Sequence, residues 1–134
     1  LEGTVFPLLP SGLRSAITEK YIHATQRYDA GGAQDTDTGT GWVQAGKLWV
    51  PTEFEVYGAH LYQTSQNILI GNNMQYPIFK YGYSNIAKGT PYWLNTPVTG
   101  SSSTWARVYG NGTVNTNAAN VTTISVPICF RIAA

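Results

Sequence analysis

The dipeptide Asn111-Gly112 constrains the fold more than any other feature of this sequence. Together with Gly110 it separates "TWARVY" from "TVNTN", and Asn-Gly between two such segments is the strongest short-range signal for a β-hairpin. A further strand is predicted at 91–95, and the alternating apolar residues of 123–133 predict a final strand. Pro127 favours an edge position or a bulge there, because proline cannot donate a ladder hydrogen bond. The last third of the chain is therefore predicted to be antiparallel β structure.

The N-terminal half is predicted to contain two helices. In the first, Leu13, Ile17 and Tyr21 recur at helical spacing. Ser11 precedes them and is of a residue type that suits an N-cap. The pattern predicts a helix over about residues 12–23. Together with the C-terminal strands, it indicates an α+β domain.

The second helix has the clearest local signal in the chain. Thr52 and Glu55 form the capping-box pattern, in which each side chain bonds the backbone of the other residue. Gly58 suits the end of this helix. Glu53 and Glu55 resemble a carboxylate pair, but capping and the helix dipole account for both, so no catalytic role is predicted for them.

Shorter elements are predicted between these features. Residues 4–9 and 47–50 are predicted as short strands, the first of them broken by a proline. Pro77 suits the first turn of a further short helix, and Lys88-Gly89 suits its end.

A polar segment at 29–41 is predicted to be an exposed loop, since it is rich in turn-forming residues. Asp35 and Asp37 occupy alternate positions, as in part of a calcium-binding loop. The full calcium pattern with its distal Glu is absent, so a solvated loop is favoured and no metal is predicted.

The composition excludes several classes of protein. The 134 residues suit one domain, and the net charge is +1 with Lys and Arg scattered singly. This argues against a nucleic-acid binder, which would carry a basic patch. No apolar run approaches the roughly 18 residues of a membrane-spanning helix.

Cys129 has no partner for an internal disulfide and is expected to be a buried small hydrophobe. Because the chain begins at Leu1, we expect a processed product or a domain of a longer protein.

Catalytic motifs are missing from the sequence. His23 and His60 are isolated and lack metal-ligand spacing. There is no G-x-S-x-G elbow, phosphate-binding loop or HExxH motif. The sequence therefore predicts a protein that is not an enzyme and that uses no cofactor.

The strand before the hairpin turn carries the candidate binding residues. Side chains alternate along a strand, so Ala106 and Val108 share one face, and Trp105, Arg107 and Tyr109 share the other. Trp, Arg and Tyr dominate binding hot spots because they bury a large area and keep a polar group. The alternation alone leaves two possibilities open: these three side chains face solvent, or the two aromatic residues pack into the core.

Five segments in order resemble a known family: "LPSGLRSAI", "LWVPTEFEVYG", "YWLNTP", "VYGNGTVNTNAA" and "SVPICFRI". Together they span about residues 9–132 and are similar to a domain found widely in phage and prophage proteins of Gram-positive bacteria. Members of that family typically read "WWLRSP", with Arg-Ser where this chain has Asn95-Thr96, and "GVRP" near the position of Ser125 and Pro127-Ile128. The resemblance implies a compact C-type-lectin-like α+β domain.

The resemblance also implies a location on the virion and a ligand surface. In such folds the last strands and their loops often present that surface, which here corresponds to Trp105, Arg107, Tyr109, Asn111, Asn115 and Asn117. The "YWLNTP" segment is expected to be scaffold, with Trp93 and Leu94 buried. The calcium-coordinating triplets of sugar-binding C-type lectins are absent, so calcium-dependent sugar binding is not predicted.

Three functions follow as hypotheses. The first is a virion surface domain, in a tail fibre or tail tip, that binds a host-cell surface glycan or protein receptor. The second is a capsid decoration or head-fibre protein, in which the aromatic residues form the core or contact other virion proteins. The third is an enzyme-like relative of the sulfatase-modifying fold, against which the single Cys129 speaks. A homotrimer is expected, because phage adhesins act through many weak contacts.

Overall fold

The computed structural model describes residues 1–25, 40–59, 61, 75–98, 101 and 103–133. The helices are α1 (Ser11–Ala16), α2 (Glu53–Tyr57) and α3 (Pro77–Lys80), with 3-10 turns at Phe6–Leu8 and Tyr83–Asn85. The strands are β1 (Ile17–Thr18), β2 (Lys20–Thr25), β3 (Thr40–Gly46), β4 (Tyr92–Pro97), β5 (Thr104–Val108), β6 (Val114–Ala118) and β7 (Arg131–Ile132). The chain is thus α+β, with few helices and antiparallel sheets in its described part, which confirms the predicted α+β class.

The described strands form three sheets. The largest has the order β4-β5-β6, and two-stranded sheets pair β2 with β3 and β1 with β7. All these ladders are antiparallel. In the three-stranded sheet, Arg107 pairs with Asn115 on one side and with Trp93 on the other. This register decides which side chains share a face.

The predicted hairpin joins β5 to β6. Gly112 has φ +87°, a left-handed conformation that glycine adopts without steric cost. The backbone N–H of Tyr109 donates to the carbonyl of Thr113 at 2.8 Å, and that of Gly112 donates to the carbonyl of Tyr109 at 2.8 Å. The side-chain oxygen of Asn111 accepts from the backbone of Thr113 at 3.1 Å. The Asn-Gly signal therefore predicts this turn correctly.

The first helix is shorter than predicted. It ends at Ala16, and the chain continues as extended β1 and β2 instead of remaining helical to residue 23. Its N-cap is Pro10 rather than Ser11, and no side chain caps it. Ile17 is buried and pairs with Ile132. Burial and strand pairing with a distant segment therefore override the local helical spacing.

Three predicted strands are reduced or absent. Residues 4–9 form turns and a 3-10 turn, because the ring of Pro7 fixes φ near the helical value and removes a ladder donor. The predicted strand at 47–50 contributes one isolated bridge, in which Trp49 and Cys129 exchange backbone hydrogen bonds of 3.1 and 2.8 Å. The predicted final strand at 123–133 is reduced to this bridge, a parallel bridge between Ser125 and Tyr92, and the two residues of β7.

Helix α2 follows the prediction. The backbone N–H of Thr52 donates to Glu55 Oε2 at 3.0 Å, and the backbone N–H of Glu55 donates to Thr52 Oγ1 at 3.4 Å. Gly58 closes the helix with φ +71°. Glu53 and Glu55 are both buried, a feature that capping alone does not predict.

Helix α3 begins at Pro77 as predicted but ends at Lys80, well before Lys88-Gly89. The side-chain amide of Asn85 donates to the carbonyl of Ile78 at 2.8 Å and holds the 3-10 turn that follows. The predicted loop at 29–41, with Asp35 and Asp37, lies outside the described residues except for its last two, which begin β3.

The main core lies on one face of the β4-β5-β6 sheet, against α2. Its buried members are Val56, Ile86, Tyr92, Leu94, Ala106 and Val108. Burying such side chains contributes about 1.5–3 kcal/mol each for the larger aliphatic ones. With one face of the sheet committed to this core, the opposite face is left to form a surface.

Candidate functional site

The outward face of β5 carries the predicted site. Ala106 and Val108 are fully buried, whereas Trp105 and Arg107 are half-buried and Tyr109 is 38% exposed. The possibility that the two aromatic residues pack into the core is therefore excluded. We call the side of the β4-β5-β6 sheet that bears these three side chains the outer face.

The register brings residues from all three strands together on the outer face. Residues directly opposite each other on paired strands share a face, so Trp93, Arg107 and Asn115 form one row across the sheet. Trp105 and Asn117 form the neighbouring row. Four predicted residues of β5 and β6 thus lie side by side.

Trp93 belongs to this surface, and the prediction that it is buried scaffold is wrong. Leu94 is buried as predicted, whereas Trp93 is half-buried and pairs with Arg107 on the outer face. The neighbouring side chains Tyr92 and Leu94 both enter the core. Three consecutive large apolar residues give no alternation from which the outward one could be identified.

Arg107 is held by Tyr109. Its Nη2 donates to the Tyr109 hydroxyl at 2.9 Å, and its guanidinium carbon lies 4.4 Å from the centre of the Tyr109 ring. Its Nε is buried and has no hydrogen-bond partner among the described residues. A buried donor without a partner is costly to the free protein.

A groove of about 320 Å³ lies beside the row of Arg107. Its walls include Trp93, Trp105 and Asn95, and the remaining lining is small or apolar. The volume is at the lower end of the roughly 300–1,000 Å³ of ligand sites. Two indole side chains supply a flat apolar surface with an N–H at the edge. The groove can therefore accept a small ring-shaped group that has one apolar side.

The three predicted asparagines are oriented by local hydrogen bonds. Their side-chain oxygens accept from the backbone of the next residues, at 2.6 Å for Asn115 and 2.9 Å for Asn117. At the tip of the hairpin, the side-chain oxygen of Asn111 accepts from the backbone N–H of Thr113, two residues on. Each amide oxygen thus accepts a local hydrogen bond, which fixes the direction of the side chain. Asn111 lies beyond the end of β5, so it borders the outer face instead of lying on it.

A second polar cluster was missed by the sequence analysis. Lys20 Nζ donates to Glu55 Oε1 at 3.1 Å, and both groups contact the Tyr76 hydroxyl. The ammonium lies 4.8 Å from the Trp49 ring centre and 4.3 Å from that of Tyr76. Desolvation, with the hydrogen bond to Glu55, raises the pKa of Tyr76 far above its usual range. These residues come from four separate segments, so no local pattern could join them.

Cys129 lies next to this cluster in a small apolar group with Ile22 and Trp49. Desolvation, followed by the negative charge of Glu55, raises the pKa of its thiol to about 11. The thiol is therefore protonated near neutral pH and is a poor nucleophile. Cys129 thus packs as a small hydrophobe, but it is half-buried and not fully buried as predicted.

Neither the grouping of the described side chains nor comparison with known proteins assigns a chemistry to this site. In the described part of the chain, no three His, Cys, Asp or Glu side chains are grouped so that they could hold a metal ion. None of the described helices has the length and apolar character needed to cross a membrane. No protein-family model, curated protein or solved structure matches the chain.

Proposed function

We propose that the chain is a non-enzymatic virion surface domain with a C-type-lectin-like fold that binds a host-cell surface glycan or receptor. A tail fibre or tail tip is the proposed location. The order of the five motifs over residues 9–132 supports the fold, as do the antiparallel C-terminal sheet and the two helices in the N-terminal half. Because fold alone does not define a ligand, the function depends on the outer face.

One observation carries the proposal: Trp93 and Trp105 line a groove on the outer face, next to Arg107 and Tyr109. Polar side chains are sufficient to keep a sheet face solvated. This face instead carries two tryptophans and an arginine that is hydrogen-bonded to a tyrosine. Aromatic rings offer the apolar surface on which the C–H side of a sugar ring packs, and the surrounding amides offer hydrogen bonds to hydroxyl groups. The arrangement therefore suits a carbohydrate better than an extended peptide.

The groove is small, so the affinity of a single domain is expected to be modest. Linking several copies raises the overall affinity by a factor of about 10² to 10⁴ when all can bind at once. A symmetric homotrimer, in contact with other virion proteins, is therefore part of the proposal.

The test is binding of the fluorescently labelled domain to Gram-positive cells and to their purified cell walls. Trp105→Ala and Tyr109→Ser are expected to remove binding, since each removes an outer-face contact. Tyr81→Ala is the matched control, because Tyr81 is 82% exposed and does not line the groove. Undiminished binding of both outer-face variants would exclude the outer face as the receptor site. A thermal melt of every variant separates lost contacts from lost folding.

A second candidate function, capsid decoration or a head fibre, is favoured by a different surface. A cavity of about 540 Å³ beside Lys20 is lined by Ile78 and Phe130, which are 60% and 39% exposed. Exposed apolar side chains grouped around a cavity are typical of protein contacts. Electron microscopy of the particle distinguishes the candidates, since a position over the capsid shell supports decoration and a position on the tail supports the adhesin.

A further inference from the structure

We propose that the ligand of the outer face is an anionic carbohydrate, with its carboxylate or phosphate on Arg107 and a sugar ring between Trp93 and Trp105. This inference rests on the proposed function and narrows its ligand from glycans in general to acidic ones.

All carboxylate side chains lie in the first part of the sequence. Residues 1–55 contain all seven Asp and Glu together with four of the eight Lys and Arg, so their formal charge is 4 − 7 = −3. Residues 56–134 contain the other four cations and no carboxylate, so their formal charge is +4, and the two values sum to the net +1. Every strand of the β4-β5-β6 sheet belongs to the second part. Its outer face therefore presents Arg107 without a carboxylate from its own strands.

Arg107 has no anionic partner among the described residues. The one ion pair found there joins Lys20 of β2 to Glu55 of α2. Arg107 contacts a neutral hydroxyl and an aromatic ring instead. A cation on a partly buried sheet face that lacks an anion attracts one from outside more strongly than a fully hydrated cation does.

The geometry of Arg107 suits a planar or tetrahedral anion. Tyr109 fixes the guanidinium, so little side-chain freedom is lost when a ligand binds. The guanidinium is planar and presents several N–H donors in a fixed fork, a geometry that matches the oxygens of a carboxylate or phosphate. Lysine, a point charge on a flexible stem, cannot reproduce this fork.

The surroundings of Arg107 supply the neutral part of the site. Trp93 is its cross-strand neighbour, and Trp105 precedes it by two residues on the same face. Both tryptophans line the groove, whereas Arg107 lies beside it. A ligand with an acidic group next to a sugar ring therefore meets the cation and the indole surface together. Asn115 and Asn117 flank the site with amides, which do not repel an anion.

The experiment compares matched pairs of polymers. Polygalacturonate is compared with its methyl ester, and phosphorylated mannan with the same mannan after dephosphorylation. Binding is followed by quenching of tryptophan fluorescence and by titration calorimetry, at low and at moderate salt. The acidic member of at least one pair is expected to bind tenfold or more tightly than its neutral partner, and which pair responds identifies carboxylate or phosphate as the recognised group.

Variants test the role of Arg107 in that preference. Arg107→Gln is expected to abolish the difference between acidic and neutral polymers, and Arg107→Lys to retain only a small part of it. Tyr81→Ala is expected to leave it unchanged. Equal binding of the polymers within both pairs, an acidic preference that survives in Arg107→Gln, or absence of binding to both acidic polymers would overturn the inference.

The inference and the proposed function fail in different ways. If neutral polymers bind as well as acidic ones and Trp105→Ala still loses cell binding, the inference fails and the proposed function stands. If Trp105→Ala and Tyr109→Ser bind cells as the unchanged domain does, the proposed function fails. Folding of Arg107→Gln is checked by its thermal melt, and Arg107→Lys gives a charge-preserving variant if the first is destabilised.

Discussion

Lys20 on β2 donates a 3.1 Å hydrogen bond to the carboxylate of Glu55 on α2. This ion pair joins the N-terminal strands to the helix that packs against the β4-β5-β6 sheet. Glu55 is 3% exposed. Its second carboxylate oxygen accepts the backbone N–H of Thr52 at the helix cap. One buried carboxylate thus connects helix capping to the packing of two segments that are distant in sequence.

Removing the cation is expected to destabilise the fold. Lys20→Met leaves Glu55 buried with a hydroxyl and a backbone N–H but no positive charge. Breaking a buried pair at one partner costs about 3–5 kcal/mol, and the partial exposure of Lys20 favours the lower end of that range. Urea denaturation measures the change. Lys80→Met, on the exposed surface of α3, is the matched control and should shift the free energy of unfolding by less than about 0.5 kcal/mol.

Stability is expected to fall at alkaline pH because of Cys129. Desolvation raises the pKa of its thiol from 9.0 to about 11 in the folded state. Between these pH values the unfolded thiol loses its proton while the folded one keeps it, so the unfolded state gains stability. The loss reaches at most about 1.4 kcal/mol per pH unit. Below about pH 9, both states hold the proton and the contribution of the thiol to folding is fully present.

The measurement is urea denaturation of the unchanged protein and of Cys129→Ala from pH 7 to 11. The variant is expected to start less stable and to lose less stability with rising pH. Tyr92, whose pKa burial raises from 10.0 to about 12, causes a further decline at higher pH in both proteins. Identical pH slopes up to pH 10 would contradict the assignment to Cys129.

Gly110 is expected to tolerate no side chain. A Cβ at this position would lie 2.6 Å from the carbonyl oxygen of Gly89, a backbone atom that cannot turn aside. Gly110→Ala should therefore destabilise the protein by about 1–3 kcal/mol, as overpacking typically does. Thermal unfolding measures this. In Gly12→Ala the added carbon meets open space within α1, so that control should be neutral or stabilising by up to about 1 kcal/mol.

The sequence predicts the elements that depend on neighbouring residues. Thr52 and Glu55 lie three positions apart, and each satisfies the backbone of the other within the same helical turn. The Asn111-Gly112 turn is equally local, since Gly112 adopts the positive φ that the loop requires. The alternation in β5 also determines which side chains share a face. In these elements, the residues that give the signal are also the residues that form the contact.

Elements that depend on distant pairing are not predictable in this way. Ile17 has helical spacing with Leu13, yet it is extended because it pairs with Ile132 at the other end of the chain. Lys20, Glu55 and Tyr76 form one cluster although nothing in their local sequences relates them. A local sequence pattern favours one backbone conformation, and pairing with a segment distant in sequence can override it.

Trp93 and Leu94 provide the sharpest test of the outer face, because these neighbours in β4 point to opposite sides. Leu94→Ala removes a buried core side chain and should cost about 2–5 kcal/mol. Trp93→Ala removes a groove wall and should cost less stability, because the indole is only half-buried. It should instead weaken cell-wall binding tenfold or more. Urea denaturation and binding of the labelled domain to cell walls give the two readouts. A Trp93→Ala protein that loses as much stability as Leu94→Ala, or that binds cell walls unchanged, would place Trp93 in the scaffold and remove one wall of the proposed site.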